Sequence, residues 1–564
     1  MPELPWDALI SICGHVQDAP SLLSISLTCH TLHIIAVQRL LESQVIALNV
    51  KSIHSFRQFI DADREARLPF VRRLSIDLPW CWYCRCLSED NRPGFIQFVL
   101  DLLEQAACLE SLVLPHPDET YRGLGCDGRF LTTIIRLATL RELALEEKWT
   151  PISEILRNTS SPLKNLRIHP GSITTRSAAW SLFPGDDSLF SLLQHIAPTL
   201  ETLEVVKQAV SLPHSPPNNL VFPAVRSVKI DVLTQMGSIR TESLVQLFPA
   251  LDDTLAFYRL DLISSNVEEG REAHEINRES QLRRTWKYLD RVVGDVRLIY
   301  ALGLVCPVRH LMIDGVSRHT KYQLDDILLN AHPTHLKLTV DLSRGIGVLD
   351  DLLLPQVASD SRLTHFVLFL SCAKYFTIAE EDDIAAIQML EWTTLLAKVI
   401  AALDKTRLSH LRVVLQCSTD EWGYTSVPYS EDFMRAARHF GEGPMALQVA
   451  YNFMNALPTL QYVFLMTSGE SHLPLESTRD SSEHRSGASG HSTAQDQSLA
   501  QNANSGEWLA SSGWRNTRSM DGIPEQLTSD MVEYLIEAED LILSRQDHYN
   551  LEEKPSDCVV ELWD

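Results

Sequence analysis

The sequence predicts an α/β chain: a module of three short helices at the N-terminus, then an irregular solenoid of helix–strand units with parallel strands. Three observations lead there. Residues 4–41 carry apolar side chains at helical spacing, a six-residue pattern (apolar, two polar, apolar, any, apolar) recurs between Val71 and Leu465, and most copies follow a helical pattern by a few residues. The expected partition is a helical module over 1–45, a repeat body over 46–475 with an inserted charged helix near 266–288, a disordered linker over 476–522, and a C-terminal helix with an acidic tail over 523–564.

At 564 residues the chain exceeds the roughly 100–200 of a single domain, which admits several domains or one extended array. Hydrophobic residues make up 45% and charged residues 22%, close to globular averages, so disorder is confined to segments. Lys and Arg number 49 against 73 Asp and Glu, a net charge of -24. That balance argues against nucleic acid or an anionic membrane as partner and favours a basic protein segment. The opening Met-Pro-Glu-Leu-Pro-Trp-Asp lacks the basic start and apolar run of a secretory signal, and no stretch approaches the roughly 18–20 apolar residues that span a bilayer. With eleven cysteines read as reduced thiols, the expected compartment is the cytoplasm, the nucleus or both.

In the first module Leu9, Ile12, Cys13 and Val16 share one helical face. Pro20 suits the first turn of a second helix with Asp18 as its cap, and Leu22, Leu23, Ile25, Leu27 and Cys29 continue it. Leu32, Ile35, Ala36, Leu40 and Leu41 mark a third. Three short helices cannot bury this much apolar surface among themselves, so a partner or adjoining domain must cover the rest. The segment resembles the F-box family in Leu4-Pro5, Asp7, Leu9-Ile10, Ile12, Val16, Leu22-Leu23, Leu27 and Cys29, over about forty residues. The resemblance implies that Leu4, Pro5, Leu9, Ile12, Leu22, Leu23, Leu27 and Cys29 dock on the adaptor of an SCF-type ubiquitin ligase, and through it on a cullin and its RING partner.

The body carries the six-residue pattern as VRRLSI from Val71, LESLVL from Leu109, LRELAL from Leu140, LKNLRI from Leu163, LETLEV from Leu200, VRSVKI from Val225, VRHLMI from Val308, LTHFVL from Leu363, LSHLRV from Leu408 and LQYVFL from Leu460. Helix, short connection and strand repeated in that order resembles the leucine-rich repeat, in which each unit buries its face by stacking on its neighbours. An ordinary α/β domain with a partly parallel sheet is the other arrangement this alternation allows. On the repeat reading, the second residue of each window faces the binding surface, which gives Arg72, Glu110, Arg141, Lys164, Glu201, Arg226 and Arg309 as candidate substrate contacts, with Thr364, Ser409 and Gln461 in equivalent places. Their alternating sign suits a protein partner.

Residues 476–522, rich in Ser, Gly, Asn and Gln, lack the branched aliphatics needed to offset ordering. NVEEGREAHEINRESQLRRTWKY from Asn266 reads as an insertion carrying an exposed helix. From Pro524, Leu527, Met531, Leu535, Ala538 and Leu541 or Ile542 fall at helical spacing, which predicts a final helix docked on the body. Residues 524–564 hold twelve acids against Arg545 and Lys554, a net of -10 read as a solvated tail.

Cys81, Cys84 and Cys86 have metal-like spacing, yet no second Cys-x-x-Cys completes a four-ligand site, so they read as reduced thiols and no metal or cofactor is expected. His310, His335, His365 and His410 recur near strands as repeat-face residues. The sequence has no phosphate loop, no nucleophile elbow and no His-Glu-x-x-His pair, so no catalytic residue is expected. The combined expectation is a non-catalytic substrate receptor of a ubiquitin ligase. The alternative is a repeat scaffold that acts outside any ligase.

Overall fold

The computed structural model describes residues 5–49, 51–78, 92–124, 128–146, 152–169, 189–210, 220–232, 239–259, 267–342, 345–353, 356, 362–372, 389–417, 430–469, 508–517 and 523–544. Leu4 and the run containing Cys81, Cys84 and Cys86 lie outside them. Among the described residues no helix is long and apolar enough to cross a membrane.

The chain divides into two units, one of residues 1–269 and 283–286, the other of residues 270–282 and 287–564. In the first, helices α1 (Trp6–His15), α2 (Ala19–Ser26) and α3 (His30–Ser43) form the N-terminal module. Asp18 caps α2 as expected, its carboxylate accepting the Ser21 N–H at 2.8 Å, and hydrogen bonds from the Ser21 side chain and then its N–H lower the Asp18 pKa. The second helix is shorter than its apolar run. It stops at Ser26, which leaves Leu27 as its C-cap and makes Cys29 the N-cap of α3.

Strands β1 (Ile46–Asn49), β2 (Arg73–Asp77), β3 (Ser111–Leu114), β4 (Glu142–Leu145), β5 (Asn165–Ile168), β6 (Thr202–Val210), β7 (Ser227–Val232) and β8 (Thr254–Arg259) follow in this unit, each parallel to the next. Register aligns Leu74, Leu112, Leu143, Leu166, Leu203, Val228 and Leu255 in one fully buried row. Period-two alternation thus sends the fourth and sixth window residues inward and the third and fifth outward. Successive units are also joined through polar atoms. The N–H groups of Glu110, Arg141, Lys164 and Glu201 each donate at 2.7 Å to the carbonyl of the equivalent residue one unit back. Thr139 and Thr199 donate their hydroxyls to the carbonyls of Leu109 (2.7 Å) and Leu163 (2.9 Å).

The second unit continues with β9 (Leu289–Asp295), β10 (Val308–Val316), β11 (His335–Asp341), β12 (His365–Ser371), β13 (His410–Cys417) and β14 (Tyr462–Gly469), again parallel. The strand β15 (Trp508–Arg515) then pairs antiparallel with β14, and β16 (Glu525–Gln526) with β15. This corrects the expectation of a linker through 476–522. The segment 508–515 is ordered because the free edge of β14 satisfies its backbone, and Trp514 is buried beneath it. The rest of 476–522, apart from residues 516 and 517, lies outside the described residues.

The charged helix Val267–Arg283 forms where the sequence placed it, but it is not simply exposed. His274, Asn277 and Gln281 are buried, and their side chains bond to the carbonyls of Tyr300 (2.7 Å), Ala301 (2.7 Å) and Leu302 (3.0 Å). Those carbonyls belong to the last turn of the helix Val296–Leu302, where backbone acceptors outnumber intrahelical donors, so polar residues suit docking here. Gly303 terminates that helix at φ +57°, where a Cβ would lie 2.7 Å from the Arg278 nitrogen.

Candidate functional site

Two surfaces carry features beyond packing. The first is the N-terminal module. Cys13, Leu22, Leu32, Ala36 and Leu41 make its interior, whereas Leu27 is 86% exposed, Trp6 55%, Leu23 53% and Ile12 49%, with Ile10 and Ile34 also exposed. Leu9 and Cys29 are half-buried and Pro5 is exposed. Of the residues expected to bind an adaptor, Leu23, Leu27, Ile12 and Pro5 are therefore available at the surface. Leu22 is not: at 1% exposure it holds the helices together. Large apolar side chains this exposed within one small module are unfavourable in water unless something covers them.

The second surface is the strand face. Arg72, Glu110, Arg141, Lys164, Glu201 and Arg226 do not lie on it. They occupy the turn just before each strand, because the first apolar residue of the window is buried ahead of the strand and outward positions begin at the third residue. There they pair mostly with neighbouring units: Arg72 with Glu110 (2.6 Å), Lys164 with Glu201 (2.6 Å) and Arg226 with Asp252 (2.7 Å). Arg309, in β10, meets Asp290 at 3.4 Å. In the first unit the outward row is Ser75, Val113, Ala144, Arg167, Glu204 and Lys229. Burial alone would raise the Glu204 pKa, but the His169 hydrogen bond (2.9 Å) and the charges of Lys229 and Arg167 outweigh it and hold the group at about 2.

In the second unit the outward row is a ladder of rings. Register places Arg291, His310, His335, His365, His410 and Tyr462 side by side on consecutive strands. Ring centroids are 4.2, 4.0, 4.4 and 5.1 Å apart from His310 to Tyr462, with His365 and His410 within 7° of parallel. The hydroxyls of Thr334, Thr364 and Ser409 meet the Nδ1 atoms of the following histidines at 2.8–2.9 Å. Burial, then the neighbouring rings, lowers His335 to about 3 and His410 to about 4. His365 is lowered by burial against the opposing pull of Glu539. His335, His365 and His410 are therefore neutral at pH 7.

Over this ladder lies the chain's own C-terminal segment. The helix Ser529–Ala538 ends, Asp540 takes a left-handed φ of +52°, and residues 539–544 cross the strand face. The Asp540 carboxylate meets Arg291 at 2.7 Å and His310 at 2.9 Å, and Glu539 meets His365 at 3.2 Å. Although burial opposes it, the bonds from His310 and Arg291 hold the Asp540 pKa well below the usual carboxylate range. Arg412 donates to the Leu541 carbonyl at 2.8 Å, and the buried Lys337, paired with Asp314, reaches the Ser544 hydroxyl at 3.2 Å. Leu541 and Leu543 are fully buried against Val367, Phe369, Val414 and Phe464.

His365, His410 and Glu539 bring three potential metal-ligand atoms within 4.8 Å of one another. Two parallel rings stacked 4.4 Å apart do not suit one ion, since a metal must lie in the plane of each imidazole it binds. Neither the families nor the curated proteins compared with this chain give a match.

Proposed function

We propose that the chain is the substrate-recognition subunit of an SCF-type cullin-RING ubiquitin ligase. On this reading the N-terminal helices bind the adaptor and the helix–strand body binds a protein substrate. The observation that carries it is the exposure of Leu27, Leu23 and Ile12 on a three-helix module, at positions where the F-box resemblance puts adaptor contacts. Such a receptor supplies no reacting group: it raises the effective concentration of a substrate lysine near a ubiquitin-charged enzyme held elsewhere in the complex. The body supports this role with strand faces that present ordered rows of charged and aromatic side chains.

The test is recovery of adaptor and cullin by the wild-type chain and by Leu23→Asp/Leu27→Asp, at matched folded concentration. Both substitutions fall on exposed side chains, so the unfolding midpoint should not move. Recovery by the wild type and its loss in the variant are expected. Wild-type protein that recovers neither subunit overturns the proposal and leaves a binding scaffold that acts outside a ligase.

A further inference from the structure

The contacts made by residues 540–544 have the form of short-peptide recognition. An acidic side chain is read by Arg291 and His310, a main-chain carbonyl by Arg412, and two alternate leucines by an apolar floor. A polar residue at the end meets Lys337. Alternate side chains in pockets, with polar contacts fixing the main chain, are how extended segments are recognised on sheets.

The helix Ser529–Ala538 that delivers this segment buries Val532 and packs Leu535 and Ile536, with Leu527 ahead of it, against the same apolar cluster, while Tyr534 is 64% and Met531 46% exposed. The strand face beneath is built for an occupant. The outward row Met312, Lys337, Val367, Arg412 and Phe464 intersperses cations with apolar side chains, and without a cover it would expose both.

We propose that this face is a peptide-binding surface whose resting occupant is the chain's own Asp540–Ser544, and that the partner it takes is a protein segment of the form acidic residue, Leu, any residue, Leu. The inference rests on the reading of the body as a substrate receptor and specifies what that body selects. It departs from the basic partner suggested by the overall charge of -24. Net charge describes the whole surface, whereas on this face Arg291 and Arg412 turn cations toward the segment, with Lys337 paired to Asp314. Own and foreign segments compete for one site, so binding and release of the C-terminal segment are mutually linked.

The test uses the full chain and a fluorescein-labelled synthetic peptide with the sequence of residues 536–544, read by anisotropy. Wild type should bind it weakly, and Asp540→Arg/Leu541→Asp, which releases the internal segment, at least tenfold more tightly. A peptide with Ala in place of its Asp540 should lose most of that gain. If the released variant keeps its cooperative unfolding transition yet binds no more tightly than wild type, or binds a scrambled peptide equally, the proposal is overturned. Should that variant lose its transition, Asp540→Asn, which retains both leucines, decides by the same criterion of a tenfold gain or none. Adaptor recovery is not read here, so the peptide surface and the ligase reading fail separately.

Discussion

Lowering the pH from 7.5 to 5.0 is expected to destabilise the second unit through His335 and His410. Burial and neighbouring rings hold their folded values at about 3 and about 4, against 6.5 in an unfolded chain. With folded values depressed, the unfolded chain takes up protons first. Stability is therefore complete above about 6.5 and falls with pH until the folded values are reached. At pH 5.0 both folded rings are still neutral, so the loss is set by the unfolded value: about 2 kcal/mol per ring, or about 4 kcal/mol for the two. Solvent reaches part of each ring and adjacent rings titrate together, which reduces the expected loss to about 2 kcal/mol. Asp540 adds nothing in this window. Its folded value lies below 3.8, so its contribution is lost only at more acid pH. Urea unfolding at both pH values, on wild type and on His335→Phe/His410→Phe, isolates the effect, because phenylalanine stacks without titrating. The pH-dependent loss should be about 2 kcal/mol smaller in the double variant. An equal loss in both proteins refutes the reasoning.

Gly303→Ala places a Cβ in a left-handed turn, 2.7 Å from the Arg278 nitrogen and 2.9 Å from the His274 carbonyl, so the unfolding free energy should fall. The expected cost is about 2 kcal/mol or more, with amide exchange rising first in residues 270–282. Asp314→Ala removes the counter-charge of Lys337, which is 3% exposed, and should lower stability by about 3 kcal/mol in the same urea assay. Thr199→Val deletes the hydroxyl bond to the Leu163 carbonyl and should cost about 1 kcal/mol, whereas Thr132→Val, on an exposed helix surface, should cost less.

Much of the strand order was legible in the windows, since each supplies a buried residue at its fourth and sixth positions and parallel stacking needs little else. Strands β1, β8, β9 and β11 have no full window, because IALN, TLAFYR, LDRVVGD and HLKLTVD do not carry the whole pattern. The candidate substrate contacts lie three residues before the outward row Ser75, Val113, Ala144, Arg167, Glu204 and Lys229: counting from the first apolar residue ignored that it is buried in the entering turn. The cover on the second unit did leave a signal. HFVLFLS carries apolar residues at both parities, and a strand apolar on both sides must be covered on both. In the first unit, RLSID and NLRI alternate and stay half-open. What no local pattern gives is the identity of the cover, because Glu539-Asp540-Leu541-Ile542-Leu543 reads as the fraying end of an acidic helix.

The covering segment sets a threshold for any partner. An occupant tethered by a short connection acts at an effective concentration of about a millimolar, whereas a cellular protein arrives at about a micromolar. A foreign segment with the same contacts would therefore lose by about a thousandfold, or roughly 4 kcal/mol. Either the partner touches more of the body than residues 540–544 do, or the internal segment must be weakened first. The pairing of Asp540 with Arg291 and His310 is where weakening acts most directly, because it joins the turn at φ +52° to the first two rungs of the ladder. Loss of that one charge would leave the segment held by its leucines, by the Arg412 and Lys337 bonds and by the Glu539–His365 pair, and bring the same face nearer to a partner's reach.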